Sequence, residues 1–308
     1  MKKILISTST FGKYDKTLLG VFKKKEFEIA LNPYGRELKE SEIKELLNNV
    51  DGLIAGTEPL TRDVIYGAKN LKIISRCGIG IDNIDLEAVN KKGIRLYRTP
   101  DEPALAVAEL TLGLILDSLR HISYLSNIVR SGGWEKKMGR LFTGKTVGII
   151  GLGTIGKRLT TLLKPFNCEI LASDHVPDIE FAKENKVDYV DLDELLRDSD
   201  IVTLHLPLDD NTKGFFNRSL FLQMNDSAIF INTSRGCIVD EDDLYEALEE
   251  GKIAHACLDV YRDEPYTGKL KELDNVTLTC HVGSYAKEAR AEMERRAVEN
   301  LLKGLGIS

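Results

Sequence analysis

The sequence predicts a bilobal α/β protein built from two doubly wound, parallel-sheet units. Its 308 residues, 43% of them hydrophobic, supply two cores at roughly 150 residues per domain. Short apolar runs alternate with amphipathic stretches from end to end, which is the βαβα rhythm of a parallel sheet. The runs are continuous rather than alternating, as expected for strands covered on both faces.

The first run, Ile4-Leu5-Ile6, stops at Ser7 to Thr10 and reads as a strand. Helical stretches follow at Leu18 to Phe22 and Ile43 to Leu47, between strands at Glu28 to Leu31, Leu53 to Ala55, Lys72 to Ser75 and Ile94 to Tyr97. From Glu102 to about Arg130 the spacing of Leu105, Glu109, Leu112, Leu116 and Leu119 predicts one long helix, with Pro100 and Pro103 at its start. A loop opens at Ser131-Gly132-Gly133 and runs to Gly144, with Trp134 expected as a packing anchor. Strands then recur at Val147 to Ile150, Ile170 to Ala172, Ile201 to Leu204, Ile229 to Asn232, Ala256 to Val260 and Val276 to Thr279. The last segment, Ala286 to Leu302, carries Ala289, Met293, Ala297 and Leu301 on one helical face and is expected to pack back onto the first unit.

Composition narrows the function classes. With 42 Lys+Arg against 48 Asp+Glu, the formal charge of −6 provides no basic field for a nucleic-acid backbone. The amino-terminal apolar run is shorter than a signal h-region, and no window is long enough for a membrane helix, so the expected location is cytoplasmic. Five scattered cysteines without CxxC spacing predict reduced thiols and no metal.

After the strand Thr146 to Ile150 comes Gly151-Leu152-Gly153-Thr154-Ile155-Gly156, then a helix-compatible run and a second strand ending at Asp174. In this context the first glycine permits a tight turn, the second lets the backbone approach a pyrophosphate, and the third allows close helix–strand packing. Asp174, eighteen residues after Gly156, can accept hydrogen bonds from a ribose diol and would repel an added phosphate, favouring NAD over NADP. The unit is Rossmann-like. The pair Gly78-Ile79-Gly80 lacks the third glycine and reads either as a strand-to-helix turn or as a loop holding substrate through backbone N–H groups.

Ligands of open α/β sheets bind beyond the carboxyl ends of strands. The polar residues found there are His205, Thr233 to Gly236, Asp259, His281, and Glu264 in the loop after Val260. Hydride transfer at an alcohol carbon needs a proton acceptor and, in reverse, a donor, and histidine serves both near neutrality. A carboxylate partner favours the imidazolium, and a guanidinium can hold a substrate carboxylate by two hydrogen bonds. These roles fall to His281, Glu264 and Arg235. His121 and His255 read as structural, and His175 either lines an adenosine pocket or is exposed.

The motifs Ser75 to Asp85, Val107-Ala108-Glu109, the glycine fingerprint, His205-Leu206-Pro207-Leu208, Asn232 to Gly236, Leu258-Asp259-Val260, Asp263-Glu264-Pro265 and His281-Val282-Gly283 run in order along essentially the whole chain. Together they resemble the D-isomer-specific 2-hydroxyacid dehydrogenases, particularly the phosphoglycerate dehydrogenase branch without its regulatory extension. The resemblance implies NAD-dependent hydride transfer to or from C2 of a small 2-hydroxy/2-keto acid, with two lobes closing over both ligands. It implies further NAD contacts from Ile79, Thr154, Ile155, Leu206, Pro207, Thr212, Thr233, Ser234, Asp259 and Gly283, and substrate contacts from Arg76, Cys77, Gly78 and Arg235. It also implies a substrate domain of residues 1–98 plus 283–308, an NAD domain of 99–282, and a homodimer formed through the long-helix region.

Three departures from the family pattern stand out. Cys280 stands where the family commonly has proline, which changes local rigidity more than chemistry; Asp101-Glu102-Pro103-Ala104 replaces the usual Asn-rich stretch and puts acidic groups near the interdomain crossing; and Gly56-Thr57-Glu58 carries no basic residue to meet a phosphate, Arg62 lying on the following helix. Hydroxypyruvate or glyoxylate reduction therefore stands beside phosphoglycerate dehydrogenation as the specific activity. Glu264 argues against formate dehydrogenase, a relative without glutamate there. The rival reading from another class is an NAD-sensing corepressor, a binding protein that can keep the same triad.

Overall fold

The computed structural model describes residues 1–307. The chain divides into two compact units, Met1–Pro103 with the chain from Tyr285 onward, and Ala104–Ser284.

The first unit begins with five strands, β1 (Lys3–Ile6), β2 (Glu28–Leu31), β3 (Gly52–Ala55), β4 (Ile73–Arg76) and β5 (Arg95–Arg98), in the all-parallel order β2-β1-β3-β4-β5. Their connections carry α1 (Thr17–Lys24), α2 (Glu40–Leu46), α3 (Arg62–Gly67) and α4 (Leu86–Lys91). Side-chain oxygens of Thr61 and Asp85 accept from first-turn N–H groups and start α3 and α4. β1, β3 and β4 are almost wholly buried, which accounts for their uninterrupted apolar runs.

The second unit opens with α5 (Ala104–Arg120) and α6 (Ile122–Arg130), followed by β6 (Thr146–Ile150), α7 (Thr154–Leu163), β7 (Glu169–Ser173), α8 (Ile179–Asn185), β8 (Val187–Tyr189), α9 (Leu192–Asp198), β9 (Ile201–Leu204), α10 (Arg218–Phe221), β10 (Ile229–Asn232), α11 (Glu241–Glu249), β11 (His255–Leu258) and β12 (Val276–Leu278). The strands are all parallel in the order β12-β11-β10-β9-β6-β7-β8. The direction of winding reverses between β6 and β9, the switch point where such sheets leave a crevice. One face of the sheet is covered by a core including Phe216, Phe221 and Phe230, and the other by a core including Leu114, Ile115, Leu159 and Leu163 from α5 and α7.

The chain then returns to the first unit as α12 (Lys287–Gly304), whose Met293, Ala297, Val298 and Leu301 pack with Ile4, Ile6, Ile54 and Ile73. No helix among the described residues is long and apolar enough to cross a membrane.

Two sequence expectations are corrected and one element is added. The single helix from Glu102 is two helices, because His121 adopts a left-handed conformation (φ 54°) between them and Asp117 Oδ1 accepts from the Ser123 N–H and hydroxyl to start α6. Trp134 is not a packing anchor: it is 84% exposed, in a stretch without helix or strand. The edge strand β8 was not anticipated, since three residues with Asp188 in the middle are too short to show a period.

The aromatic cluster yields a stability prediction. Phe216, Phe221 and Phe230 are fully buried, with ring centroids 4.6, 4.7 and 5.2 Å apart. Phe230→Ala is expected to cost about 3–5 kcal/mol, seen as a lower urea midpoint of the intact chain. Leu222→Ala, at a side chain 51% exposed, should stay within about 0.5 kcal/mol.

Candidate active site

The parallel ladder continues past the strand ends and sets the site. The Asp259 N–H donates to the Asn232 carbonyl at 3.0 Å and the His281 N–H donates to the Asp259 carbonyl at 2.8 Å, so the loops after β10, β11 and β12 lie side by side. Each loop is also fixed internally. Asn232 Oδ1 accepts from the Ser234 N–H and hydroxyl at 2.9 and 2.7 Å, and its Nδ2 donates to the Arg235 carbonyl at 2.9 Å. Asp259 accepts from the Thr279 hydroxyl at 2.6 Å and from the N–H groups of Val282 and Gly283 at 2.8 and 2.7 Å.

Gly236 lets two of these loops meet. A Cβ there would stand 1.9 Å from the Tyr261 carbonyl carbon and 2.4 Å from the Arg262 nitrogen, so only glycine fits. Arg235, the residue before it, is half-buried, with Nη1 donating to the Ser234 carbonyl at 2.8 Å.

His281 Nδ1 and Glu264 Oε2 are 2.8 Å apart, with the two side chains 41% and 37% exposed. The other Glu264 oxygen accepts from the Tyr261 N–H at 3.1 Å. The Glu264 hydrogen bond raises His281 above the ordinary imidazole range against the opposing effect of burial; the charges of Glu264 and Asp259 add to the rise, and Arg235 counters it. Burial pushes Glu264 upward, but the hydrogen bond and charge of His281, the Tyr261 N–H and Arg235 outweigh it and hold the carboxyl below its usual value. The three residues picked from strand ends therefore act on one another within one unit.

The glycine turn after β6 has the shape a pyrophosphate needs. Gly151 has φ 93°, and a Cβ on it would lie 2.8 Å from the His205 carbonyl oxygen. A Cβ on Gly156 would lie 2.7 Å from the Gly151 oxygen, so this glycine permits the tight helix–strand contact. Gly153, with nothing within 4 Å of its Cβ position, begins α7 without a side-chain cap, leaving first-turn N–H groups available to an anion. At the end of β7, Asp174 accepts from the Leu152 N–H at 2.8 Å and the Val176 N–H at 3.0 Å, which ties the carboxylate to the glycine turn. These residues fit a dinucleotide.

The remaining predicted contacts are placed as follows. Thr154 and Pro207 are exposed, while Ile155 and Leu206 are half-buried. Thr212 is buried, its hydroxyl donating to the Pro207 carbonyl at 2.7 Å. Thr233 and Ser234 are buried with hydroxyls bonded inside the unit, Thr233 to Thr111 at 3.0 Å. Gly283 lies with its Cβ position 3.1 Å from Asp259 Oδ2. His175 is exposed, and His255 is buried against Thr277.

In the first unit, Arg76 is 7% exposed, its Nε donating to the Gly80 carbonyl at 3.1 Å and its Nη1 to the Cys77 carbonyl. Gly78 has φ 151°, and a Cβ on it would lie 2.5 Å from the Arg76 guanidinium. Cys77, 2% exposed, packs its side chain with α12, so a contribution beyond the core falls to its backbone. Residue-by-residue reading overlooked Asn232 as the organiser of the arginine loop, although an Asn two residues before a Ser is the signal of an Asx turn. It also overlooked Tyr261, which no motif singles out.

Comparison with known proteins agrees with this geometry. Residues 112–283 match the model of the D-isomer specific 2-hydroxyacid dehydrogenase, NAD binding domain. The chain is 39% identical over 292 residues to a hydroxypyruvate reductase of Thermotoga maritima, covering 92% of this chain and 93% of that protein. It is 40% identical over 274 residues to a D-3-phosphoglycerate dehydrogenase of Methanocaldococcus jannaschii, covering 87% of this chain but 52% of the relative. The crystal structure of the TT0316 protein from Thermus thermophilus superposes with a TM-score of 0.90 at 32% identity, over 99% of this chain and 97% of that one. With its glycine cradle and its Arg–Glu–His strand ends, the chain belongs to the D-isomer-specific 2-hydroxyacid dehydrogenases, oxidoreductases that use NAD.

Proposed function

We propose that this dehydrogenase interconverts a small, unphosphorylated 2-keto acid and its D-2-hydroxy acid. The 2.8 Å His281–Glu264 pair, accessible and electrostatically coupled to Arg235, carries the proposal. A phosphate would find no cation in the segment Gly56-Thr57-Glu58 after β3. Glu58, 1% exposed, occupies the turn after β3, and Arg76 is committed to two carbonyls.

When bound, NADH supplies the hydride that reduces substrate C2. Arg235 holds the substrate carboxylate and polarises the adjoining carbonyl. With Nδ1–H given to Glu264, the proton reaches the substrate oxygen from Nε2 of His281. Glu264 keeps the ring oriented and favours its protonated form. In the oxidative direction the same Nε2 accepts the alcohol proton. The glycine turn and the start of α7 would hold the pyrophosphate and Asp174 would receive the ribose hydroxyls, with Ile155, Leu206, Thr212, Thr233, Ser234, Asp259 and Gly283 as the further residues that would hold the cofactor. The first unit we assign to the substrate, with Ile79 and the backbone of residues 76–78 as its candidate contacts.

The chain forms a homodimer on this reading. α6 buries none of its residues, and Ile122, Val129, Trp134, Met138 and Leu141 are each more than half exposed. We place the protein in the cytoplasm, where its five free thiols stay reduced.

Three measurements test the proposal. NADH oxidation is expected with hydroxypyruvate and glyoxylate in preference to phosphohydroxypyruvate, and His281→Ala should lower kcat by about 10²–10⁴. Reductive kcat should be flat at acid pH and fall as pH rises through the raised His281 pKa, while oxidative kcat rises over the same interval; opposite trends, or an unaffected His281→Ala variant, remove His281 from proton transfer. Second, NADH should be preferred over NADPH, and Asp174→Asn, which keeps the acceptor but removes the charge, should narrow that preference about tenfold. Third, light scattering should give the mass of two chains, and Trp134→Glu should shift it toward one.

A further inference from the structure

We propose that Tyr261 is a positioning residue for proton transfer, acting by fixing the three active-site loops to one another. The inference rests on the dehydrogenase reading above and concerns a residue that touches no reacting atom.

Tyr261 meets each loop through a different group. Its carbonyl carbon lies where a Cβ on residue 236 would fall, so the backbone beside Arg235 rests directly on it. Its N–H donates to Glu264 Oε1, leaving Oε2 for His281. Its hydroxyl donates to the Thr279 carbonyl at 2.6 Å, two residues before His281, and also lies 3.2 Å from the Leu258 carbonyl. The side chain is 7% exposed and its ring stacks on Tyr266, with centroids 4.4 Å apart, so the hydroxyl is held where it is.

The hydroxyl does what a phenyl ring could not. β12 is an edge strand of three residues, and His281 follows it with φ 55°, in the left-handed region that side-chain-bearing residues adopt uncommonly. Thr279 is held by Asp259 through its hydroxyl, by the Leu258 carbonyl through its N–H at 2.9 Å and by Tyr261 through its carbonyl. Tyr261 supplies the restraint on the carbonyl side, next to Cys280 and His281, and removing it loosens the approach to His281, while Glu264 remains on its own loop. The 2.8 Å bond between them then weakens, and the imidazole loses the partner that favours its protonated form.

The test compares Tyr261→Phe with Tyr266→Phe, which removes a hydroxyl that accepts from the Leu270 N–H and leaves Tyr261 intact. The groups whose charges reach His281 are Glu264, Asp259 and Arg235, and all remain in both variants. In Tyr261→Phe the alkaline limb of reductive kcat is expected to move down by about one pH unit, with kcat about tenfold lower well above the former midpoint and KM for NADH within about twofold. The His281 ring resonance, titrated by NMR in the protein without substrate, should move by the same amount. Tyr266→Phe should leave both titrations in place. An unmoved His281 titration in a folded Tyr261→Phe variant overturns the proposal, as does an equal shift in Tyr266→Phe. Because the NMR titration needs no turnover, absence of activity toward every 2-keto acid would count against the dehydrogenase reading and leave the role of Tyr261 decided by the resonance.

Discussion

A carboxylate sealed from water is destabilising unless its lone pairs are met, and Asp259, 1% exposed, has them met by the very segment it must organise. Its three donors, the Thr279 hydroxyl and the N–H groups of Val282 and Gly283, bracket His281 in sequence. The backbone ladder adds a fourth restraint, from the His281 N–H to the Asp259 carbonyl. The histidine is therefore positioned by bonds on both sides of it, which explains how a residue just beyond a short edge strand keeps a left-handed backbone. Losing any one donor leaves part of a buried charge uncompensated, so the arrangement is cooperative.

The electrostatics point to geometry more than to stability. Above its ordinary range, His281 contributes stability that is complete below the unfolded imidazole pKa and lost as pH rises through the folded one. Glu264, held below its usual value, contributes stability present above the unfolded carboxyl pKa and lost as pH falls through the folded one. The pair is consequently most favourable between those limits. Its side chains are more than a third exposed, however, and solvent screening reduces the worth of such a pair. What the pair secures is the ring tautomer: with Nδ1–H directed at Glu264, Nε2 is left for the substrate. Arg235 opposes protonation of the histidine, so the arginine proposed to anchor the substrate would also moderate the proposed acid beside it.

Much of this was legible in the residues because strand ends leave a mark. Continuous apolar runs mark both sheets, polar residues just after them point to Arg235 and His281, and the loop after Val260 adds Glu264. The glycine fingerprint was readable for the same reason: Gly151 and Gly156 stand where a Cβ would strike backbone, a constraint that excludes other residue types. What could not be read depends on neighbours distant in sequence. His121 breaks a helix whose three- and four-residue periodicity continues without interruption, and the break becomes visible only where the Arg140 N–H returns to the Leu119 carbonyl. Trp134 suggested burial by its size, yet its position in an irregular stretch leaves it 84% exposed. Tyr261 belongs to no motif, and its importance comes from a close contact with Gly236 and a hydrogen bond across to Thr279.

Gly236 and Gly283 show why the catalytic loops tolerate so little change. Both sit where a Cβ would press on another part of the same cluster, the peptide after Tyr261 in one case and Asp259 Oδ2 in the other. The two contacts are graded: 1.9 Å to a backbone carbon forbids any side chain, whereas 3.1 Å to a carboxylate oxygen asks only for a small displacement. Arg235 is thus tied to its place by a contact that cannot relax, while the segment after His281 has some room. A guanidinium that must present two parallel donors to a carboxylate needs a fixed base. An imidazole with the proposed task of moving a proton in both directions instead needs a fixed partner, and Glu264, 2.8 Å from His281 Nδ1, is placed to be it.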